Sequence, residues 1–499
     1  MKCRIYVLAL LLLHSCTYTE DVSGKSVFVD FENFELYSTT GYTLVAHQQH
    51  EKGHILNKPE LSAVIFGGKT TSGAQDELNK YFLFDGKKEL IVKEAIPATA
   101  NTDAAQELSQ DISTGDFNLQ TVADNYASRI WFKPVQRRLG MALSLRIPFC
   151  DKYWVNIDAP FEHLKQDLDL QEERTSTEST VAAVTKFTDS TTLVTSMYEA
   201  FRQTGLNYGR INGAQTKNGL ADLTIRIGRN AYNREDFFVS QHFGIVIPTG
   251  NRRTAEYMWE PIVGNGHHAG LDWGNTTHIC MHEADRCNWW ITNAISGRYL
   301  FENTQKRSLD LHNGPWTRYL AMYKNTAART SDARNFGINS MTKDVKVSPG
   351  VSFGISTQLS MMAKNWNMNV GVINRFRQAE EVTLAESWVQ GPQIATIGTV
   401  ATAGTGEVIP SRKMGRALDY TNLIAGGAAP TDYFIKESDI NLNSAAHTNV
   451  FASTIHASVA YYRDAAWSQN YELGGSYDTS RQNTAIDRWS IYTKLLISF

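Results

Sequence analysis

The sequence predicts an all-β protein, a transmembrane antiparallel β-barrel of about 12 strands (12–14). Three observations predict it. Apolar and polar residues alternate through most of the second half, tight polar turns alternate with long segments, and no stretch beyond Leu13 reaches the ~18–20 apolar residues of a membrane helix. Composition agrees: of 499 residues, 42% are hydrophobic and 11% aromatic, only 12 are Pro, 20% are charged, and the net charge is −3. A disordered or collagen-like chain is excluded, and so is a strongly basic nucleic-acid binder.

Residues 1–16 are read as a secretory signal, with Lys2 and Arg4 ahead of the apolar run 5–13. Leu13-His14-Ser15-Cys16 loosely resembles a bacterial lipobox, which implies a lipid on Cys16; ordinary cleavage nearby is the alternative. Residues 17–118 are an N-terminal extension, a plug or the home of a first strand, for which 26–37 is the candidate. Fragments 61–66 and 88–96 within it are open between plug and strand.

From 119 to 499 the barrel is expected, with long loops at 160–218, 302–348 and 379–445. In 139–149, Leu139, Met141, Leu143, Leu145, Ile147 and Phe149 share one face, and Gly140, Ala142, Ser144, Arg146 and Pro148 the other. Segments 349–362 and 366–377 alternate likewise, the second with Ile373 and Asn374 out of step. The same reading covers 122–133, 219–229, 236–248, 268–280, 288–301, 446–461, 467–477 and 487–499. Runs of this length suit tilted membrane strands of ~9–11 residues better than globular strands of ~5–6, although a soluble β-sandwich has the same period. Turns at 134–138, 230–235, 281–286, 363–365 and 463–466 are tight, the pattern of periplasmic turns opposite longer external loops. Segment 161–173 is charged and favours helix, 192–205 has helical spacing, and 390–430, rich in Gly, Ala and Thr, reads as a mobile external loop. Cys280 and Cys287 flank a polar turn and are expected to form a disulfide across it.

The chain ends on Trp489, Ile491, Leu495, Ile497 and Phe499, alternating with polar residues apart from Leu496. This terminal strand resembles the C-terminal signature of bacterial outer-membrane β-barrel proteins, the porin-like or transport class. The resemblance implies an assembly signal read by the outer-membrane assembly machinery, and contact with lipid bilayer and lipopolysaccharide in a Gram-negative outer membrane. Hydrophobic-substrate transporters of that membrane are a further resemblance, the N-terminal segment standing for their hatch, with no motif that identifies them.

Candidate chemistry is sparse. Phe66-Gly67-Gly68-Lys69-Thr70 lacks the earlier Gly of a phosphate loop, and Gly264-Asn265-Gly266 precedes an alternating segment where a dinucleotide motif needs a helix. His267, His268, His278, Cys280, His282, Glu283 and Cys287 are of metal-ligand type, but a strand would separate them widely. Gly350-Val351-Ser352-Phe353-Gly354 spells a nucleophile elbow inside an alternating strand, where no sharp turn fits. No catalytic residue, metal or cofactor is assigned, and an exported hydrolase is kept as an alternative.

The inward face carries the functional reading. It is expected to hold Arg129, Lys133, Arg146, Arg226, Arg298, Arg375, Arg377, Arg488 and Lys494, against Asp222, Asp236, Asp272 and Glu472, with His242, His268, His278 and His456. The expected function is passive diffusion or uptake of small solutes, anion-favouring through this basic lumen; pairing of the arginines with acids from a plug, and a receptor or structural barrel without an open pore, are the alternatives.

Overall fold

The computed structural model describes residues 24–30, 58–93, 111–119, 126–150, 152–175, 194–234, 236–284, 287–312, 314–323, 334–388, 395–396, 414, 435–463, 467–480 and 485–499. The signal region 1–16 with Cys16, and the loop 390–430 apart from 395–396 and 414, lie outside these residues.

Twelve strands form the wall: β1 Glu60–Thr70, β2 Val135–Cys150, β3 Tyr153–Asp167, β4 Leu223–Asn233, β5 Phe237–Ile247, β6 Gly270–Glu283, β7 Asn288–Leu300, β8 Gly350–Ala363, β9 Trp366–Arg377, β10 Val450–Arg463, β11 Ser468–Ser480 and β12 Arg488–Ser498. Each pairs antiparallel with its neighbour in sequence, and β1 pairs with β12 from Glu60↔Ser498 to Thr70↔Arg488, which closes the sheet. Closure leaves no free edge and satisfies the ladder hydrogen bonds, the condition a β-structure must meet in hydrocarbon.

Side chains alternate between a buried interior and an exposed exterior along the wall. The exterior carries Ile227, Ile295, Val370, Ile455, Leu473 and Ile491, with Ile455 57% and Leu473 64% exposed. A water-soluble fold would bury residues of this kind, and a contiguous belt of them is a lipid-facing surface. Aromatic rings bound the belt. At the tight-turn end Phe149 stacks on Tyr153 at 6.0 Å and Trp366 lies 5.0 Å from Tyr461, with Trp467 and Phe499 beside them. At the other end stand Tyr299 and Phe301 at 5.5 Å, Tyr477 and Trp489. A closed barrel with an apolar belt between two aromatic girdles is an outer-membrane barrel, and the chain resides there.

Several expectations need correction. Segment 122–133 is not a wall strand: Ala127–Phe132 alternates, but its buried face, with Ile130 and Phe132, packs into a soluble-type core. Period two reports one covered face without saying what covers it. Segment 26–37 supplies no strand among its described residues 26–30, which are irregular. The missing wall members are β1 and β3. In β3, the part expected to favour helix extends past the belt, so its exterior residues His163 and Lys165 are polar and its interior Leu164 is apolar. The turn expected at 134–138 is mostly strand: Val135 to Arg138 belong to β2, and only Lys133 and Pro134 separate it from the Ala127–Phe132 strand.

Cys280 and Cys287 are free thiols. Cys280 pairs with Trp290, whereas Cys287 lies beyond the Glu283↔Asn288 pair, roughly 10 Å further along the ladder. A disulfide needs Cα atoms within about 7 Å.

The long segments all leave the same end of the barrel, and their described residues fold together as a cap. Helix α1 (Ser72–Phe82) follows β1 at once; the Thr71 side chain accepts from the Ala74 amide and starts it. Leu78, Tyr81 and Phe82 then enter a core shared with Ile130, Phe201, Trp316 and Ile338, so that three of these segments meet there. Two small sheets frame it, one with strands 90–93, 127–132 and 170–174, the other with 303–308, 342–348 and 381–384.

Candidate functional site

Among the described residues, charged and polar groups of the wall converge in the lumen and its capped mouth. Alternation inside a closed sheet puts every second residue of each strand there, so its chemistry follows from strand register.

Most inward cations have a carboxylate partner. Arg226 bonds both Asp158 and Asp272, the second at 2.5 Å; Arg298 reaches Asp272 at 3.1 Å, and His242 Nε2 lies 3.4 Å from the same carboxylate. Arg488 holds Asp478 and Asp30, each at 3.0 Å, and Arg375 reaches Asp478 at 3.4 Å. Arg146 lies 3.6 Å from Glu60, its guanidinium 4.7 Å from the Trp154 ring. Arg138 binds Glu162 at 2.9 Å. Lys494 faces Glu472 across the β11–β12 ladder, and Arg377 pairs with Glu380 at 3.1 Å.

Of the expected pore-lining residues, Arg146, Arg226, Arg298, Arg375, Arg377, Arg488 and Lys494 therefore sit on the inward face, as do His242, His278, His456, Asp272 and Glu472. Arg129 does not. It rides the exposed face of the Ala127–Phe132 cap strand, 3.0 Å from Glu173, and Lys133 follows that strand. The basic excess expected of the lumen shrinks accordingly, because Glu60, Asp158, Glu162 and Asp478 lay on strands or strand ends not recognised. Arg138 was assigned to a turn, although it shares the parity of Arg146 through Gly140, Ala142 and Ser144.

Among the ionic groups the inward face carries an apolar cluster, a waist of Val64, Phe66, Ile373 and Tyr492 packed against one another. Ile373 and Asn374 are the residues that looked out of step; the parity is regular, with apolar Ile373 on the lumen face and polar Asn374 on the outer one. Glycines let rings lie flat on the wall: a Cβ at Gly140 would strike the Phe66 ring, and one at Gly474 the Tyr492 ring. Towards the tight turns an amide network runs from Gln358 to Asn369 (3.1 Å), from Asn367 to Asn369 (3.0 Å) and from Asn369 to Ser458 (3.1 Å).

At the mouth, residues 24–30 are strapped between cap and wall. Arg318 donates to the Gly24 carbonyl at 3.2 Å, Tyr81 to that of Val27 at 2.7 Å and Arg253 to that of Phe28 at 2.6 Å, while Asp30 takes Arg488. Beside the strap Glu380 joins Arg307 of the cap at 2.5 Å to Arg377 of β9, and accepts from the His447 amide at 3.1 Å. Burial raises the Glu380 pKa, but Arg307 and Arg377 outweigh it and hold the carboxyl well below its usual range. Burial keeps His447 neutral, its pKa pushed down to about 3, and His268 likewise to about 4. Asp222 accepts from the Asn265 amide at 2.6 Å and anchors the Gly264–Gly266 loop.

The chemistry motifs resolve as structure. Gly350 to Gly354 run straight in β8, with Ser352 donating to the Arg298 carbonyl at 3.5 Å. His268 lies at the mouth and His282 opposite Trp289 at the tight-turn end, so the two cannot share a metal.

No protein-family model and no curated protein sequence matches the chain. Solved structures are similar in outline. An outer membrane channel from Pseudomonas putida F1 has 9% identity over 89% of this chain and 96% of that one, with a TM-score of 0.37. The Pseudomonas putida toluene transporter TodX has 8% identity over 96% of each, TM-score 0.29. The β domain of the Bordetella autotransporter BrkA has 5% identity over 89% of this chain and 100% of that one, TM-score 0.33. At these scores none of them assigns a family or a solute to this chain.

Proposed function

We propose that the protein is an outer-membrane transport barrel for small solutes, closed by its cap and opened when the cap and strap are displaced. The observation that supports this most is the inward face. Replacing buried ion pairs by packed apolar residues usually leaves a protein as stable or more so, and a barrel that served only as an anchor would need no such lining. Buried amide atoms such as those of Asn470, with no protein partner among the described residues, favour a hydrated path below the waist.

The finer expectations are adjusted. Pairing of Arg226, Arg298, Arg375 and Arg488 with Asp272 and Asp478 argues against even the weak anion preference expected of a basic lumen. Gated uptake fits the capped mouth better than free passive diffusion. The waist of Val64, Phe66, Ile373 and Tyr492 favours solutes with an apolar part. Trp489, Ile491, Leu495, Ile497 and Phe499 are read as the assembly signal, on the lipid-facing side of the closing strand.

The test is conductance in planar bilayers, wild type against Glu380→Gln, which removes the carboxylate joining cap to wall. Wild type should be mostly closed with brief openings, and the variant open for a larger fraction of time. Silence from both, with the barrel shown to be folded by heat-modifiable mobility, would reject transport in favour of a receptor or structural barrel.

A further inference from the structure

Behind the strap, at the junction of cap and wall, lies a cavity of ≈ 20 Å³ lined in part by Arg138, Arg253, Arg307, His268, Gln305 and Glu380. We infer that it binds a single chloride-sized anion, held chiefly by Arg253.

The argument starts from Arg253 itself. Its side chain is buried, with 9% of the residue exposed, and among the described residues its one acceptor is the Phe28 carbonyl at 2.6 Å. A guanidinium has five N–H donors in a fixed fork, so most of this one is directed elsewhere, and the cavity is what it lines. Both carboxylates at the cavity are committed to other cations: Glu380 to Arg307 at 2.5 Å and Arg377 at 3.1 Å, Asp30 to Arg488 at 3.0 Å. Neither forms an ion pair with Arg253. Glu260 and Glu380 act on Arg253 only through space, so its remaining donors have no direct anionic partner among the described residues. Burial, and then the field of Arg307, lower the Arg253 pKa to about 10, which still leaves it charged at neutral pH.

The neighbours select an anion over a cation. Gln305 donates its amide to His268 Nε2 at 2.9 Å, and His268 Nδ1 donates to the Phe301 carbonyl at 2.8 Å, so that ring is neutral and fully engaged. Arg307 of the cap also lines the cavity; its donors are shared among Glu380, Gln305 and the Ala445 carbonyl, so what it adds is chiefly positive field. Size selects within the class: the space fits one small sphere, water-sized or slightly larger, and is too small for sulfate or phosphate. An anion here would tie Arg253, on the loop between β5 and β6, to Arg307 of the cap, and so belongs to the closed mouth whether or not solutes pass.

The experiment uses the full chain in detergent at constant ionic strength, with sodium chloride, bromide or gluconate. The midpoint temperature for proteolytic cutting of the cap, read with the barrel band intact, should be higher in either halide than in gluconate by about 2–4 °C, and Arg253→Gln should abolish the difference. A bromide-soaked crystal should show an anomalous peak within hydrogen-bond reach of Arg253. Equal midpoints in halide and gluconate, a halide response that survives Arg253→Gln, or no bromide peak would each overturn the inference. Should Arg253→Gln fail to assemble, Arg253→Lys keeps the charge and loses the fork, and the wild-type bromide peak decides alone.

Discussion

Wall and cap are built from the same chain on opposite principles. The wall spreads its apolar side chains over the outside and keeps its charges within, in ion pairs such as Arg226–Asp272. The cap does the reverse, with Trp316, Leu78 and Phe201 inside and residues such as Arg129 on its surface. Each wall strand is held by ladder bonds to both neighbours, while the cap depends on a core assembled from segments far apart in sequence and on a few buried ionic joints. The wall should therefore resist what dissolves the cap, and the two should be separable by experiment.

Acid should separate them most. His447 and His268 stay neutral in the folded cap, with pKa values of about 3 and about 4. An unfolded histidine takes up its proton near pH 6.5, so below that the unfolded cap binds more protons and stability falls with pH. The slope is about 1.4 kcal/mol per pH unit for each histidine, a total on the order of 5 kcal/mol by pH 4. Glu380, held below its usual range, acts in the same direction once the pH drops under about 4.5. Limited proteolysis across pH 7 to 4 should cut the cap segments progressively while the heat-modifiable barrel band persists; joint loss of both at one pH would show that wall and cap form a single cooperative unit.

A core deletion tests the same division at neutral pH. Trp316 is fully buried, donates its indole N–H to the Phe82 carbonyl at 2.8 Å and packs 5.5 Å from Tyr319. Trp316→Ala should cost the cap about 3–5 kcal/mol, read as protease sensitivity without loss of assembled barrel. The converse change is Ile455→Arg on the lipid face of β10, with an expected cost of about 2–4 kcal/mol. It should reduce the amount of assembled barrel in the membrane, and normal yield would remove Ile455 from the hydrocarbon belt.

The same division decides what could be read in the sequence. Strands whose outer residues meet lipid and whose inner residues are polar, such as β8 and β10, show the alternation plainly. β1 hides because Val64 and Phe66 point inward to the waist while Leu61 and Ile65 point outward, which leaves apolar residues on both faces. β3 hides because it outruns the bilayer. The Ala127–Phe132 strand deceives for the opposite reason, a regular period with protein as its covering. The expected count of about 12 strands agrees with the wall because two strands were missed, one was misassigned and a second was placed at 26–37. The cap was beyond reach: its core joins residues such as Phe28, Ile130 and Ile440, and no local pattern signals a contact across hundreds of positions.

Arg129 gives the finest test, because the two regions assign it opposite consequences. As a lumen residue its loss would alter conductance and leave buried carboxylates unpaired, a change of several kcal/mol. On the cap surface its side chain is 41% exposed, with Glu89 at 3.5 Å and Glu173 at 3.0 Å, both themselves exposed. Exposed pairs contribute about 0–1 kcal/mol and are screened by salt, so Arg129→Gln should leave cap proteolysis and single-channel conductance close to wild type. Arg226→Gln, which strips both Asp158 and Asp272 of their shared partner inside the wall, should not be silent. If the two variants behaved alike, the distinction between a wall with its charges inside and a cap with its charges outside would fail at the residue chosen to expose it.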